Sequence, residues 1–199
     1  MLEELIGIYG GSFDPFHNGH LRLLEGVQKR FRFKKIIIVP TYNSPHKENS
    51  LFSNQERISI IESAVCSFSY FEIDDIEISK GKVCYTYDTV TELHQKYSHT
   101  KFYFLMGVDA WSLRFSWHRI NDLMKILNFI IVGRPSRERR IDDSITRDLY
   151  TANNITYHEG EMLDISATQI KGLLLKGEDI SSYVAPDTCE LINNFYQNK

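Results

Sequence analysis

Two histidines follow a short apolar segment and a pair of adjacent glycines near the start of the chain. The stretch from Gly10 to His20 contains both of them, His17 and His20, and leads into a segment with helical spacing. At a helix start, side chains three apart share one face and lie toward the preceding loop. Adjacent glycines let backbone N–H groups approach an anion, and a helix N-terminus adds partial positive charge. The pattern therefore favours an anion site, for example for phosphate.

Other interpretations of these histidines stay open. A single histidine at a helix start also fits a capping residue or a satisfied core residue. Zinc is a third interpretation, but no Cys or acidic residue supplies a further ligand at a suitable spacing here. The loop is neither a Walker A sequence nor G-x-G-x-x-G, so those two phosphate-binding mechanisms do not transfer to it.

A second helix start near the C-terminus offers related chemistry. The segment Ile165–Lys171 begins a predicted helix, and Ser166 and Thr168 are residue types that satisfy unpaired amides at a helix start. Lys171 adds a positive charge one turn later. Taken alone, the segment also fits a capped helix on the surface.

The elements that must position these groups alternate between strand and helix. Helices are predicted at 18–30, after a capping box at Ser53, and at 86–97, 167–176 and 186–196, with helical turns near 109–115 and 119–125. Such alternation predicts a parallel sheet with right-handed crossovers. The predicted fold class is α/β: one Rossmann-like domain over residues 1–199, with a doubly wound, mainly parallel sheet, helices on both faces and a small helical C-terminal part at about 167–199. The predicted strands are Leu5–Tyr9, Lys35–Pro40, Phe71–Ile78, Lys101–Met106, Phe129–Val132 and Ile155–His158.

In such a sheet, ligands bind at the carboxyl ends of the strands. Four segments follow predicted strands and are therefore the places where chemistry is expected: 10–20, 40–47, 107–117 and 133–140. Each contains polar or charged residues, so the sequence predicts a composite site at one edge of the sheet.

Composition narrows the classes of partner and location. The 199 residues carry 23 basic and 26 acidic side chains, and a net charge of −3 argues against a protein that binds nucleic acid mainly by charge. No apolar run is long enough to cross a membrane, and the N-terminus lacks the pattern of a signal peptide. The three cysteines are far apart and are expected to be reduced thiols. We expect a cytoplasmic protein without nucleic-acid or membrane partners, and homo-oligomerisation is left open.

The segment Gly-Gly-Ser-Phe-Asp-Pro-Phe-His-Asn-Gly-His at 10–20 resembles the N-terminal motif of the nucleotidyltransferase superfamily, whose core is H-x-G-H. The resemblance implies that His17 and His20 are catalytic and contact the phosphates of ATP or CTP around the α-phosphorus under attack. Ile-Ser-Ala-Thr-Gln-Ile-Lys at 165–171 is similar to the superfamily's second motif, I-S-S-T-x-I-R, which holds the β- and γ-phosphates. Ala167 and Lys171 depart from that motif, and the lysine keeps the charge but loses the planar fork of an arginine.

A phosphate monoester acceptor is largely dianionic near neutral pH, so it needs no general base. The reaction needs charge screening and in-line placement instead. We therefore expect Mg²⁺ as cofactor with ATP as co-substrate, bridging phosphates and keeping waters, with no metal ligand from protein side chains.

Further segments resemble the bacterial nicotinate-nucleotide adenylyltransferases, in order and over roughly residues 6–196. The matching segments are Asn-Ser-Pro-His-Lys at 43–47, Cys-Tyr-Thr at 84–86, Gly-Val-Asp at 107–109, a tryptophan at 117 and Gly-Arg-Pro at 133–135. The activity implied is adenylyl transfer from ATP to nicotinate mononucleotide, giving nicotinate adenine dinucleotide and pyrophosphate. The implied nicotinate mononucleotide residues are Asn43, His46, Lys47, Tyr85, Thr86 and Trp117, and the implied ATP residues are Gly10, Gly11, Ser12, Phe13, His17, His20, Asp109, Arg134, Ser166, Thr168 and Lys171.

Two departures from this pattern are mild: Cys84 stands for serine and Val90 for leucine. Alternatives remain at this point. The same chemistry could act on nicotinamide mononucleotide or phosphopantetheine, and a protein that senses nucleotides without turnover would keep many of the same residues.

Overall fold

The protein is described by a computed structural model that covers residues 4–42, 50–97, 99–133, 154–160 and 163–199. Its centre is a six-stranded sheet in the spatial order β3-β2-β1-β4-β5-β6, with every neighbouring pair parallel. This is the doubly wound, Rossmann-like arrangement that the alternation of elements predicts. The strands are β1 Glu4–Gly11, β2 Lys35–Pro40, β3 Phe71–Ile73, β4 Thr100–Gly107, β5 Asn128–Gly133 and β6 Ile155–Glu159.

Helices cover both faces of this sheet. Within the described residues, the longest has 14 residues, and none is long and apolar enough to cross a membrane. A 3₁₀ turn at Arg114–Ser116 joins two of the shorter helices. The helices are α1 Asn18–Phe31, α2 Asn54–Val65, α3 Ile76–Ser79, α4 Thr86–Lys96, α5 Val108–Ser112, α6 Ile120–Ile126, α7 Ala167–Leu175 and α8 Pro186–Gln197.

The sheet has a hydrophobic core on each face because strand side chains alternate in direction. In β2, Ile36 and Ile38 join the core that packs against α1, α2, α7 and α8. Their neighbours Ile37 and Val39 join the other core, which packs against α4, α5 and α6. All four side chains are at most 2% exposed, so the continuous apolar run of β2 is explained by burial on both faces.

Helix starts follow the local signals in the sequence. At α2 the amide of Glu56 donates to Ser53 Oγ at 3.2 Å, and the amide of Ser53 donates to Glu56 Oε2 at 2.6 Å. This reciprocal pair confirms the predicted capping box. The helices predicted at 18–30, 86–97, 167–176 and 186–196 are also confirmed to within a residue at each end.

One predicted strand is wrong over half its length. The alternating run Phe71–Ile78 forms a strand only to Ile73, and Ile76–Ser79 is helical. The carboxylate of Asp74 accepts a hydrogen bond from the amide of Ile76 at 3.1 Å, which turns the chain. Glu77, which alternation places on an exposed face, is consequently buried.

The order of the strands creates a crevice at one edge of the sheet. From β1 the chain moves to β2 and β3 on one side, and β4 then begins the other side. The connection that follows β1 leads to β2 on one side, and the connection that follows β4 leads to β5 on the other. The carboxyl ends of β1 and β4, at Gly11 and Gly107, therefore border an open crevice.

Candidate active site

The loop from Ser12 to His17, called here the histidine loop, connects the end of β1 to the start of α1. His17 takes the N-cap position of the helix, with an extended backbone. Gly11 is required immediately before the loop because a Cβ atom there would lie 2.8 Å from the ring of Phe13. The chain therefore folds back tightly at the carboxyl end of β1.

His17 and His20 lie side by side, as the three-residue spacing predicts. Their ring centroids are 3.7 Å apart and the rings are inclined by 25°. The backbone N–H of His17 donates to Nδ1 of His20 at 3.2 Å, and the ring of Phe13 meets that of His20 edge-on at 5.2 Å between centroids. These contacts orient the His20 ring.

His17 is the more buried of the pair. Its side chain is 6% exposed, and its Nδ1 is buried without a hydrogen-bond partner among the described residues. Burial lowers the pKa of His17 to about 4, so the free protein holds this imidazole neutral near pH 7. A buried ring nitrogen without a partner is the kind of group that a polar ligand satisfies.

Gly19 allows this placement of His17. A Cβ atom at position 19 would lie 3.0 Å from both Nδ1 and Cε1 of the His17 ring. A glycine between the two histidines is therefore needed for close packing, which gives the H-x-G-H spacing a physical reason.

The start of α7 faces the histidines. Ser166 is its N-cap, and Ser166 Oγ accepts from the amide of Gln169 at 3.1 Å. The predicted cap is thereby confirmed. Together with α1, this arrangement directs two helix N-termini toward one region, where their partial positive charge favours an anion.

A cavity of about 380 Å³, called here the histidine cavity, lies between these two helix starts and the ends of β1 and β4. The structure brings together there most of the residues that the two resemblances imply for ATP. The implied residues that line it are Gly10, Gly11, Ser12, Phe13, His17, His20, Asp109, Ser166 and Thr168.

Two implied ATP residues are not part of that lining. Lys171 places Nζ 2.8 Å from Oδ2 of Asp14, a carboxylate that is almost fully buried. Its side chain is therefore committed to an ion pair inside the protein, one turn after the start of α7. Arg134 lies outside the described residues.

A second cavity of about 250 Å³, called here the tryptophan cavity, is lined by Thr86 at the start of α4 and by Trp117. The Trp117 ring meets Phe104 edge-on at 5.7 Å between centroids, which holds it against the sheet. The two cavities adjoin, since the same residues contribute to both: Tyr9, Gly10, Gly11, Gly107 and Ala110.

Of the other residues implied for the nicotinate side, Tyr85 is described by the structure and does not line this cavity. Tyr85 caps α4, but its side chain is 47% exposed and its ring packs on His118 at 4.4 Å between centroids, away from the lining of the tryptophan cavity. Asn43, His46 and Lys47 lie outside the described residues.

Glu77 is a cavity residue that sequence reasoning missed. It is 6% exposed, lines the tryptophan cavity, and accepts a hydrogen bond from the hydroxyl of Thr89 at 2.7 Å. Burial raises the pKa of Glu77 above its usual range, although the bond from Thr89 acts in the opposite direction. The sequence did not indicate that Glu77 is buried, because the alternation of apolar and acidic residues in 71–78 is typical of a strand whose acidic face is exposed.

A metal held by several side chains does not fit the described part of the chain. No group of three or more His, Cys, Asp and Glu residues is arranged there to hold an ion. Asp109 is the acidic residue among the described lining of the histidine cavity. A single carboxylate fits a cation that is bound mainly by phosphates and water.

The arrangement as a whole supplies donors and partial positive charge around one cavity, with a mainly apolar cavity beside it. Helix N-termini and imidazoles stabilise negative charge that develops on phosphoryl oxygens. The adjoining tryptophan cavity offers an aromatic wall and the start of α4. These features suit a reaction between two bound phosphate compounds.

The amino-acid sequence of this chain is similar to that of known proteins. The cytidylyltransferase-like family matches residues 8–173. A probable nicotinate-nucleotide adenylyltransferase of Desulfitobacterium hafniense is 34% identical over 189 residues, with 94% of this chain and 91% of that protein covered. The corresponding protein of Oceanobacillus iheyensis is 34% identical over 183 residues, covering 92% and 90%.

A solved structure agrees with these relatives. The nicotinic acid mononucleotide adenylyltransferase of Plasmodium falciparum, in complex with NaAD, superposes with a TM-score of 0.82 at 25% identity and 98% coverage of both chains. The sequence matches span the histidine cavity from the end of β1 to α7. The chain therefore belongs to the cytidylyltransferase-like family and, within it, to the nicotinate-nucleotide adenylyltransferases.

Proposed function

We propose that the protein transfers the adenylyl group of ATP to nicotinate mononucleotide in NAD biosynthesis. A phosphate oxygen of the acceptor attacks the α-phosphorus of ATP, the bond to the β-phosphate oxygen breaks, and pyrophosphate leaves. The observation that carries this proposal is the pair of adjoining cavities, one with the histidines and one with Trp117, that share the ends of β1 and β4. Substrates bound in two adjoining cavities can place the acceptor phosphate next to the α-phosphate of ATP, where the cavities join.

On the ATP side, His17 and His20 stabilise charge on the phosphoryl oxygens. The start of α7 binds the phosphates through its amides, and the partial positive charge at the start of α1 attracts them. Nδ1 of buried His17, which has no partner in the described part of the chain, supports a direct ligand contact. Ser166 and Thr168 bind at the α7 start, and Asp109 accepts bonds from ribose hydroxyls. For Arg134 and Lys171 a phosphate role stays a prediction from the resemblance, and the ion pair of Lys171 with Asp14 favours an indirect one.

On the acceptor side, Thr86 and Trp117 hold the nicotinate ring and its carboxylate. The amides at the start of α4 are oriented for an anion, and Trp117 supplies a flat apolar surface. Tyr85 contributes through its backbone in this proposal, since its ring packs on His118. Asn43, His46 and Lys47 are proposed to bind the acceptor phosphate on the strength of the sequence alone.

Mg²⁺ is the proposed cofactor. When bound to ATP it neutralises phosphate charge and keeps several waters. No protein side chain is proposed as a direct ligand, because no group of three or more His, Cys, Asp and Glu residues is arranged to hold an ion in the described part of the chain, and Asp109 is assigned to the ribose. The other side chains of the histidine cavity bind and orient the phosphates themselves.

We also infer a cytoplasmic location for an enzyme of small phosphorylated metabolites, with free Cys66, Cys84 and Cys189 in support. The net charge of −3 supports small-molecule partners over nucleic acid. Homo-oligomerisation stays open, and the single-domain organisation of residues 1–199 stays a prediction.

The test is a pyrophosphate-release assay with ATP, Mg²⁺ and a panel of three acceptors. We expect kcat/KM for nicotinate mononucleotide to exceed that for nicotinamide mononucleotide by at least about 100-fold, because a site built to bind a carboxylate penalises its neutral analogue. Preference for nicotinamide mononucleotide or phosphopantetheine would reassign the acceptor. Absence of pyrophosphate release with all three, alongside measurable ATP binding, would point to a nucleotide sensor instead.

A further inference from the structure

A buried arginine joins two segments that lie on different sides of the site. Arg57, on the first turn of α2, is 1% exposed. Its guanidinium donates to the carbonyl of Ser12 in the histidine loop, and to the carbonyls of Thr41 at 2.6 Å and Tyr42 at 3.1 Å. It also donates to Oδ1 of Asn54 at 2.6 Å on its own helix. One side chain thus fixes the chain after β1 against the chain after β2.

A buried carboxylate makes the complementary connection. Asp14, in the histidine loop, accepts hydrogen bonds from the amides of Leu51 at 3.1 Å and Phe52 at 3.0 Å, and from Lys171 at 2.8 Å. Burial by itself would raise the pKa of Asp14, but these bonds outweigh it and hold the pKa below its usual range. The carboxylate is therefore ionised in the folded protein near pH 7.

Together Arg57 and Asp14 hold the chain on both sides of residues 43–49 against the histidine loop. Thr41 and Tyr42 precede those residues, and Leu51 and Phe52 follow them. Thr41 lines the tryptophan cavity, while Ser12 lines the histidine cavity. The guanidinium therefore fixes one cavity wall relative to the other.

A role in folding alone explains this arrangement poorly. Burying a guanidinium costs several kcal/mol before its bonds compensate, and apolar residues of similar volume often stabilise a core as well or better. Here burial lowers the pKa of Arg57 although Asp14 opposes the change, and Nε has no hydrogen-bond partner among the residues that the structure describes. Only a planar, forked donor reaches carbonyls on two segments at once, which an ammonium group does not reproduce.

We propose that Arg57 is a positioning residue for adenylyl transfer: by holding the carbonyls of Ser12, Thr41 and Tyr42, it sets the distance and angle between the ATP side and the acceptor side of the site. This rests on the proposed function. Because in-line attack depends on the mutual placement of two substrates, a small displacement of one segment affects the transition state more than it affects either substrate bound alone.

The experiment compares Arg57→Lys with the wild-type protein in two measurements. The first is the binding of ATP alone and of nicotinate mononucleotide alone by calorimetry, and the second is kcat under saturating substrates. We expect each binary affinity to change less than about threefold while kcat falls at least about 30-fold, since the loss appears in the transition state. Arg22→Lys is the matched control, because Arg22 on α1 is exposed and pairs only loosely with Glu25 at 3.7 Å.

Both the kinetic and the binding measurements can contradict the positioning role of Arg57. Unchanged kcat in a folded Arg57→Lys protein, or binary affinities that fall as far as kcat/KM, would overturn the positioning role. If Arg57→Lys does not fold, Asn54→Ala, which removes the side-chain partner of the guanidinium, is compared in the same way, and equal kcat to wild type overturns the proposal. If wild-type protein uses another acceptor from the panel, the proposed function fails, but the same comparison with that acceptor still tests Arg57.

Discussion

At the scale of single residues, His17 and His20 differ in environment although they are stacked. His17 is buried and its Nδ1 has no partner within the described ranges, while the ring of His20 is packed among Tyr9, Phe13 and Phe16. The packing around His20 fixes its orientation before any ligand binds. A donor that is oriented in advance stabilises a transition state at little reorganisation cost.

Removing the His20 imidazole should therefore affect chemistry more than folding. For His20→Ala we expect kcat to fall about 100-fold or more, the range seen when one oriented donor to a developing charge is lost. The measurement is steady-state pyrophosphate release, with the unfolding temperature as a check on the fold. His99→Asn, at an exposed position, serves as control and should keep wild-type kcat. Near-normal turnover of His20→Ala would remove His20 from the mechanism.

Gly19 offers a second test at this scale. In Gly19→Ala the new Cβ would lie 3.0 Å from the His17 ring, so we expect the ring to shift and kcat to fall about tenfold, since sub-ångström misplacement weakens transition-state contacts. Gly26→Ala on the same helix meets nothing within 4 Å and should instead stabilise the protein by up to about 1 kcal/mol without changing kcat. Equal kcat in both variants would contradict the packing argument.

At the scale of elements, the site depends on helix starts more than on particular side chains. The starts of α1 and α7 border the histidine cavity, and the start of α4 borders the tryptophan cavity. Ion pairs and hydrogen bonds from the interior hold these elements in place, for example Lys171 of α7 on Asp14. The anion site thus depends on the partial positive charge of helix starts that the fold orients.

Two substitutions at the N-cap of α7 separate its structural and electrostatic roles. Ser166→Ala removes the bond to the Gln169 amide and should lower the free energy of unfolding by about 1 kcal/mol. Ser166→Asp keeps a capping oxygen but adds a negative charge at the lining of the histidine cavity, so stability should stay near wild type while KM for ATP rises at least about fivefold. Chemical denaturation and steady-state kinetics measure the two effects. An unchanged KM in Ser166→Asp would place the triphosphate elsewhere.

At the scale of the whole molecule, burial of the site links stability to pH. The pKa of His17 is lowered from 6.5 to about 4 by burial, so between these values the unfolded chain binds a proton that the folded protein does not. The contribution of neutral His17 to the stability of the free protein is then fully present above about pH 6.5 and is lost as pH falls toward 4. Asp14, whose pKa is held low, adds a loss only at more acidic pH.

This predicts a measurable acid sensitivity that belongs to one residue. From pH 7 to 4.5, the His17 contribution to the free energy of unfolding should fall by about 2 to 3 kcal/mol, given 1.36 kcal/mol per pKa unit. Urea denaturation of wild-type and His17→Gln proteins at the two pH values measures it, and the variant should lose less stability by about that amount. The same loss in both proteins would contradict a neutral, buried His17.

The sequence by itself determined the elements and most of the histidine cavity. Continuous β-branched runs, helical spacing and the Ser53 capping box are local signals, and local signals persist when the chain folds. The histidine pair, the glycines and the α7 cap follow strands or open helices, so the rule that ligands bind at strand ends was enough to group them. The ambiguous run was 71–78, whose alternation fits either an exposed strand or a strand followed by a buried turn.

Only the tertiary structure decided which side chains face which partner. It placed Lys171 on Asp14, turned the ring of Tyr85 onto His118, and buried Glu77 beside Thr89. It also revealed the contacts of Arg57. From the sequence alone, a buried arginine in a helix cannot be distinguished from an exposed one, because its carbonyl partners lie 45 and 16 residues away along the chain. Such contacts depend on how distant segments pack, and the periodicity of one segment carries no information about them.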